Sequence, residues 1–444
     1  MWFLSKIAFA PRAATVSTVR LRLLLIALIG LLALAPGAGA VTGKQRVLVV
    51  LATWGPQPFT QASVQQTVFG GTNDFIGHSS FGQLTLDGDV TTWIRAFDGP
   101  PADCEQTVVI ASQARDAAQR AGQSFAGYDR VITVIPAIPC RFRGVSFNEQ
   151  VLIVGAPFPG LVAHELGHTY GLGHANRWSC AGGHCQSIEY GDQFDVMGGR
   201  AAGQYNAYEK YSLGWLKNVT RVAENGTYTI DQLELPSALP QAVVVATAKS
   251  EYWFDHREPV LEDAGLAGSP VATGVFVHAG PNLFRTGSVS GSAFPSTNIL
   301  LPNQQHSEFD ALLPGDTFSE DGAFKLTVLS HTDTHVDVQF AWTDTTPPKP
   351  PGVLEPRGTI RTTGTRRLPV SWNPAAEDGS GVARYEVTLD GAPPRIVDAD
   401  FRIGDHVELT KPRPGRHAVR IVAVDRAGNR GAAAVSRFTI PVRR

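Results

Sequence analysis

The sequence predicts an α+β protein in three parts. An α/β layered region comes first, an all-β sandwich-like region second, and an immunoglobulin-like β-sandwich last. Three observations carry this. Strand-like apolar runs alternate with helical stretches as far as about residue 217. Short strands spaced by Gly, Pro, Asn and Asp follow. A Pro-rich stretch, Thr345-Thr346-Pro347-Pro348-Lys349-Pro350-Pro351, then leads into a last module with alternating strands.

Length and composition agree. The 444 residues allow two or three domains at roughly 150 residues each. With 43% hydrophobic and 18% charged residues, the chain is not disordered. A net charge of −2, from 40 acidic and 38 basic residues, excludes the electrostatic footprint of a nucleic-acid or anionic-membrane binder.

Residues 1–40 read as a signal peptide, not as fold. Lys6, Arg12, Arg20 and Arg22 accompany a nearly continuous apolar run over 23–34, and Ala38-Gly39-Ala40 supplies a small-residue cleavage pattern. The run is short of the ~20 residues that span a bilayer. A secreted mature chain is expected to start near Val41, with no membrane in the mature form. Export permits disulfides. Of the possible pairings, Cys104–Cys140 and Cys180–Cys185 are favoured, because the second pair lies in one loop. The competing reading is a metal clip from Cys180, His184 and Cys185.

In the first region, residues 45–53 read as a buried strand and 59–69 as helix. Residues 83–90 read as a strand with Asp87-Gly88 as a turn near its end. An amphipathic helix is expected over 105–121, core strands over 130–135 and 151–155, and a helix from Gly160 onward. In the second region, 227–230, 242–248, 274–278, 326–329 and 336–340 are short strands. In the third, 368–372, 383–389 and 417–425 alternate. The expected boundaries are 1–40, 41–218, 219–343, a linker over 344–351, and 352–444.

Residues 164–174 read HELGHTYGLGH. His164 and His168 are four apart, so on a helix both imidazoles share one face and reach one ion. His174 cannot join them on the same straight helix. The chain must turn back, and Gly171 is where a left-handed residue makes that turn without a Cβ penalty. Zinc accepts His nitrogen, and a catalytic site takes three protein ligands with one position left open. Glu165 is offset from His164 by about 100°. It can take a proton from a water in the open position and pass it to a leaving amine. His164, His168 and His174 are therefore candidate Zn2+ ligands, and Glu165 is the candidate catalytic base and acid.

These residues resemble the metzincin metallopeptidases, whose HExxHxxGxxH pattern is matched in full. That family also has a methionine turn beneath the metal. Met197, the only methionine beyond the start residue, lies 23 residues after His174, where such a turn would fall. A soft thioether packs well under imidazoles. Within the metzincins the sequence looks most like the gametolysin family. The shared features are GLGHA at 171–175, YGD…MG at 190–198, and Tyr205-Asn206-Ala207 running into Lys210-Tyr211-Ser212-Leu213-Gly214-Trp215-Leu216.

The resemblance implies a metzincin-like catalytic domain and a secreted zinc endopeptidase acting on protein or glycoprotein substrates, with cell-wall or matrix glycoproteins hinted at. Gly199 stands where some metzincins carry a Tyr that touches zinc, so a switching tyrosine is not expected. Tyr205 and Tyr208 read as packing or surface residues rather than oxyanion donors. The last module resembles fibronectin type III through Trp372, Tyr385 and residues 424–429, with His417 where such modules usually place a Tyr.

Other residues have plainer expectations. Asp192 and Asp195 read as turn caps, with orientation of a ligand histidine as the alternative. His331 and His335, with Asp333 and Asp337, are expected on one solvated strand face rather than around a metal. Asp87-Gly88-Asp89 reads as a hairpin turn rather than a calcium site. A peptide substrate is expected to pair with an exposed strand between Arg141 and Gly155. Two other function classes stay open. One is a non-catalytic secreted adhesion or binding protein retaining a structural metal site. The other is a zinc hydrolase of a non-peptide bond.

Overall fold

β1 (Gly43–Thr53) is the centre of the first sheet, and its apolar run from Val47 to Ala52 is fully buried. In the computed structural model the described residues are 40–181, 184–199, 203–280, 296–300, 311–360, 367–376, 379–399 and 406–442. The expected signal segment lies outside them, apart from Ala40. β1 runs parallel to β2 (Leu84–Val90) on one side and, at its end, to the short β3 (Ile94–Arg95). On its other side lies β4 (Arg130–Ile135), also parallel. β5 (Gly144–Phe147) is the far edge of the sheet. It pairs antiparallel with β6 (Gln150–Val154), which itself runs parallel to β4. The order is β2-β1-β4-β6-β5.

Parallel neighbours need crossovers; helices lie in those leading to β2 and to β4, while the β4–β6 connection carries the edge strand β5 instead. Between β1 and β2 come α1 (Gln61–Gln66), a π-helical turn (Thr67–Thr72) and α2 (Asn73–Ser79). α3 (Thr107–Arg120) precedes β4, and α4 (Pro159–Thr169) follows β6. Alternation along the strands divides the core. Val47, Val49, Leu51, Ile132 and Val134 pack with Phe75 of α2 and with Leu161, Val162 and Leu166 of α4. Ala52, Ile135 and Leu152 instead pack with Ile110 and Ala114 of α3. The disulfide Cys104–Cys140 ties the approach to α3 to the segment after β4.

The next elements are the hairpin β7 (Ala175–Ala181) and β8 (His184–Ile188), then α5 (Ala207–Ser212). After them come β9 (Val219–Arg221), β10 (Gly226–Asp231), β11 (Ala242–Ala246), β12 (Glu251–Asp255) and β13 (Val275–Ala279). β14 (Thr297–Leu300), β15 (Ala311–Leu312), β16 (Thr317–Glu320), β17 (Phe324–His331) and β18 (His335–Trp342) complete the middle of the chain. One sheet runs β8-β7-β14-β13-β12-β11-β9, with β15 on β13. A second runs β10-β18-β17-β16. Phe254, Val277, Phe324 and Phe340 fill the core between them. β14 pairs with β7, so the hairpin after the histidine motif is stitched into the middle region.

The last elements are β19 (Gly352–Glu355), β20 (Gly358–Thr359), β21 (Arg367–Asn373), β22 (Val382–Leu389), β23 (Arg395–Asp398), β24 (His406–Thr410), β25 (Gly415–Asp425) and β26 (Ala434–Ile440). They form sheets ordered β19-β21-β24 and β20-β26-β25-β22-β23 around Trp372 and Tyr385. His417 bonds Asp390 at 2.6 Å and the Arg413 carbonyl at 2.7 Å. Taken whole, the described residues are rich in strand with few helices.

Two local expectations are corrected. Asp87-Gly88 is no turn: it lies inside β2, in parallel register with β1, where Asp87 pairs with Lys44 at 2.6 Å and Asp89 with Arg46 at 3.3 Å. A parallel partner reached through a helical crossover leaves no hairpin for that dipeptide to close. His331 and His335 do not share one strand either. His331 ends β17, in register with Val336, and His335 begins β18 on the other side of the turn, which closes with Thr332 N–H donating to the His335 carbonyl at 2.9 Å. Cys180 lies opposite Cys185 in the β7–β8 register, but its side chain, and with it the expected second bridge or metal clip, falls outside the described residues.

Candidate active site

α4 starts with Pro159 in its first turn, where a missing N–H costs nothing. It ends where Gly171 takes φ +97°. Leu172 N–H then bonds the Gly167 carbonyl and Gly171 N–H bonds the His168 carbonyl, both at 3.0 Å. This pairing is a Schellman motif, which reverses the chain and satisfies the last helical carbonyls. The reversal returns His174 to the helix face carrying His164 and His168. His174 Nε2 stands 3.1 Å from His168 Nε2, and one ligand atom from each of the three rings lies within 4.8 Å of the others.

The outer nitrogens are all engaged. Nδ1 of His164 lies 2.8 Å from the Val196 carbonyl, that of His168 2.9 Å from the Leu172 carbonyl, and that of His174 2.8 Å from Glu189 Oε1. These acceptors assign the proton to Nδ1 in each ring, so the Nε2 lone pairs point inward. Burial, reinforced by the neighbouring imidazoles, pulls His164 down to about 3. Burial also pulls His168 down to about 4 and lowers His174. Three neutral rings with convergent lone pairs and no proton between them form a donor set that fits a cation.

Glu165 sits on the same helix and points to the edge strand. Its Oε2 accepts a bond from Ser146 Oγ of β5 at 2.6 Å. Burial raises its carboxyl to about 7, with Ser146 opposing. Gly144 makes room for it, since a Cβ there would overlap the Glu165 carboxylate.

Met197 is fully buried beneath α4. A Cβ on Gly167 would stand 2.5 Å from its sulfur, so glycine lets helix and turn approach closely. The turn holds the histidine segment through its backbone: Val196 anchors His164, and the Met197 carbonyl accepts from Ala175 N–H at 3.0 Å. Asp195 accepts from the N–H groups of Met197 and Asn206, both at 2.7 Å, and Asp192 from Phe194 N–H at 2.9 Å. Both aspartates therefore cap the turn, and the bonds that Asp195 and Asp192 make there go to backbone N–H groups rather than to the clustered histidines. Tyr205 is buried and donates to the Ala163 carbonyl at 2.8 Å, while Tyr208 packs on Trp253, so both are packing residues.

Three participants escaped the sequence reading. Ser146 and Glu189 are common polar residues whose spacing from the motif carries no period. Tyr190 lies with its ring 4.0 Å from that of His174, at φ +58°. Burial, with Glu189 and Glu165 nearby, pushes its hydroxyl up to about 12, so it stays a proton donor. A fourth residue, His278 of β13, bonds Asp192 Oδ2 at 3.1 Å from beneath the turn.

Residues 53–249 match the family model of the gametolysin peptidases, M11. No curated protein matches the chain. Solved structures are similar only remotely. Fibronectin(III)-like modules of CbhA from Clostridium thermocellum align at 13% identity, over 21% of this chain and 99% of that one, with a TM-score of 0.18. The spore cortex lytic enzyme SleM from Clostridium perfringens aligns at 9% identity, over 83% and 85%, again with a TM-score of 0.18. Likenesses this slight bear on neither fold nor function. The family match is another matter, because its span takes in every histidine of the cluster, Glu165 and Met197: over residues 53–249 this chain is similar to the gametolysin metallopeptidases.

Proposed function

We propose that the protein is a secreted, zinc-dependent endopeptidase of the metzincin type. One observation supports this above others: three inward Nε2 lone pairs converge within reach of a single ion, beside a buried carboxylate. An all-histidine set with one position open suits Zn2+. When bound, the ion polarises a carbonyl and makes water acidic near neutral pH. His164, His168 and His174 hold it. Glu165 takes a proton from the attacking water and passes it to the leaving amine, a task served by a carboxyl poised near neutrality. Ser146 orients that carboxylate.

β5 is the sheet edge beside Glu165 and lies within residues 141–155. An extended peptide adding to this edge would be held by main-chain bonds with its scissile carbonyl near the histidines. In this reading the leader over 1–40 is removed and 41–218 forms the catalytic domain. A β-rich accessory domain over 219–343 and a fibronectin type III-like module over 352–444 follow, and the substrates are wall or matrix proteins or glycoproteins. Among the described residues no helix is long and apolar enough to cross a membrane.

Casein hydrolysis should vanish on chelation, and in Glu165→Ala with metal still bound. Hydrolysis that survives Glu165→Ala would refute the mechanism. A wild-type chain that binds metal but cleaves nothing would favour the binding-protein alternative.

A further inference from the structure

His256 follows β12, Glu258 lies two residues on, and His331 ends β17. Each of the three offers one ligand atom within 4.8 Å of the other two. Nε2 of His256 stands 2.9 Å, and Nε2 of His331 3.0 Å, from the same carboxylate oxygen, Glu258 Oε1. His256 is fully buried and its Nδ1 faces the Gly274 carbonyl at 2.8 Å. That acceptor takes the ring's proton, so the Nε2 lone pair of a neutral ring faces a carboxylate oxygen. Something positive must lie between two acceptors held this close.

The rings are 5.2 Å apart, centroid to centroid, and His256 is sealed from water. A proton bridging His256 to Glu258 would make a buried imidazolium, whereas a single divalent ion meets both imidazoles and the carboxylate oxygen at once. It also has the preferred donors, two imidazoles and one carboxylate. His256, with Nδ1 fixed by a backbone carbonyl and Nε2 turned inward, repeats the arrangement of His164 and His168. Glu258 and His331 are partly exposed, which gives an ion a way in.

We propose that His256, Glu258 and His331 form a second metal site, for a divalent first-row transition ion of the zinc class, which cross-links the two sheets of the middle region. His256 extends the eight-stranded sheet through β12, and His331 belongs to the four-stranded one. The site is independent of peptidase chemistry.

The test counts metal in the full chain, stripped by chelator, reloaded with Zn2+, desalted and analysed by mass spectrometry. His331→Ala and Glu258→Gln should each hold one equivalent fewer than wild type. His168→Ala, disabled at the catalytic cluster, should still hold one. An unchanged count in His331→Ala and Glu258→Gln overturns the proposal. Should those variants fail to fold, His168→Ala decides alone: one equivalent supports the second site and none overturns it. Failure of the zinc-peptidase reading looks different, with His168→Ala matching wild type while His331→Ala still loses one.

Discussion

His164 and His278 are both buried histidines, and their surroundings drive them to opposite charge states. Around His164, burial and two further imidazoles hold the ring neutral, down to about 3. Around His278, burial again opposes charge, but Asp255 and Asp192 outweigh it and raise the ring to about 9. Nδ1 of His278 lies 3.1 Å from Asp255, and Nε2 3.1 Å from Asp192. Burial therefore does not decide what a histidine does; the facing groups do. Where histidines face one another, the site lacks a positive charge and can host one. Where a histidine faces two carboxylates, it is the cation. That cation fastens Asp192 of the methionine turn to β12 and β13 of the middle sheet.

The largest expected effect lies in that second environment. His278→Ala takes from Asp192 and Asp255 the histidine between them, leaving the buried Arg257, 3.5 Å from Asp255, as the remaining cation, and should cost about 3–5 kcal/mol in urea unfolding. The pH dependence should follow with a definite sign. The folded ring titrates near 9 against an ordinary 6.5. Its stabilisation is therefore complete below about 6.5 and lost as pH rises through about 9. The melting temperature of wild type should fall across that interval, and His278→Ala should lack this component. The clustered rings of His164 and His168 act in the opposite sense. Their depressed values make the unfolded chain the better proton acceptor below pH 6.5, so stability falls on acidification. A wild-type melting curve flat from pH 6.5 to 9 would break the comparison.

A smaller effect is expected at the outer edge of the histidine cluster. Glu189 fixes the ring of His174 through Nδ1 at 2.8 Å, from an exposed position. Glu189→Gln should weaken zinc binding about 10–100-fold, measured by chelator competition, because a neutral partner orients the ring less firmly. No change in affinity would mean that the backbone turn at Gly171 alone places His174.

The same contrast explains what could be read from the sequence. The histidine cluster was legible because one helical period and one left-handed glycine encode it: His164 to His168 is a turn, and Gly171 supplies the reversal. Long apolar strands such as β1 and β4 were legible for the same local reason. The partners of those residues were not. Glu189 and Ser146 reach the site from a hairpin and an edge strand, and His278 meets Asp192 across 86 residues. β5, with four half-buried residues, and β7 and β8, with their polar alternation, lack the apolar run that marks a strand. Asp87-Gly88 misled because a turn-forming dipeptide can also sit in an extended strand when a parallel neighbour holds its backbone.

The smallest effect, and the finest probe of how surroundings set charge, is at Ser146. Its hydroxyl lies 2.6 Å from Glu165 Oε2 and 2.8 Å from the Glu165 carbonyl, so one proton is shared between two acceptors. Burial raises the Glu165 carboxyl to about 7 and Ser146 holds it from rising further. A hydrogen bond to a charged group contributes about 1.5–3 kcal/mol, and sharing the proton halves its claim on the carboxylate. Ser146→Ala should therefore move the acidic limb of kcat/KM upward by about one pH unit, since a unit corresponds to about 1.4 kcal/mol. The sign follows from the base role proposed for Glu165: a higher carboxyl value leaves less carboxylate at neutral pH and the full amount in alkali. The variant should be slow at pH 6.5 and approach wild type by pH 9. A uniform loss of rate at every pH would instead assign Ser146 to holding the helix against β5, and would leave burial as the sole control on the base.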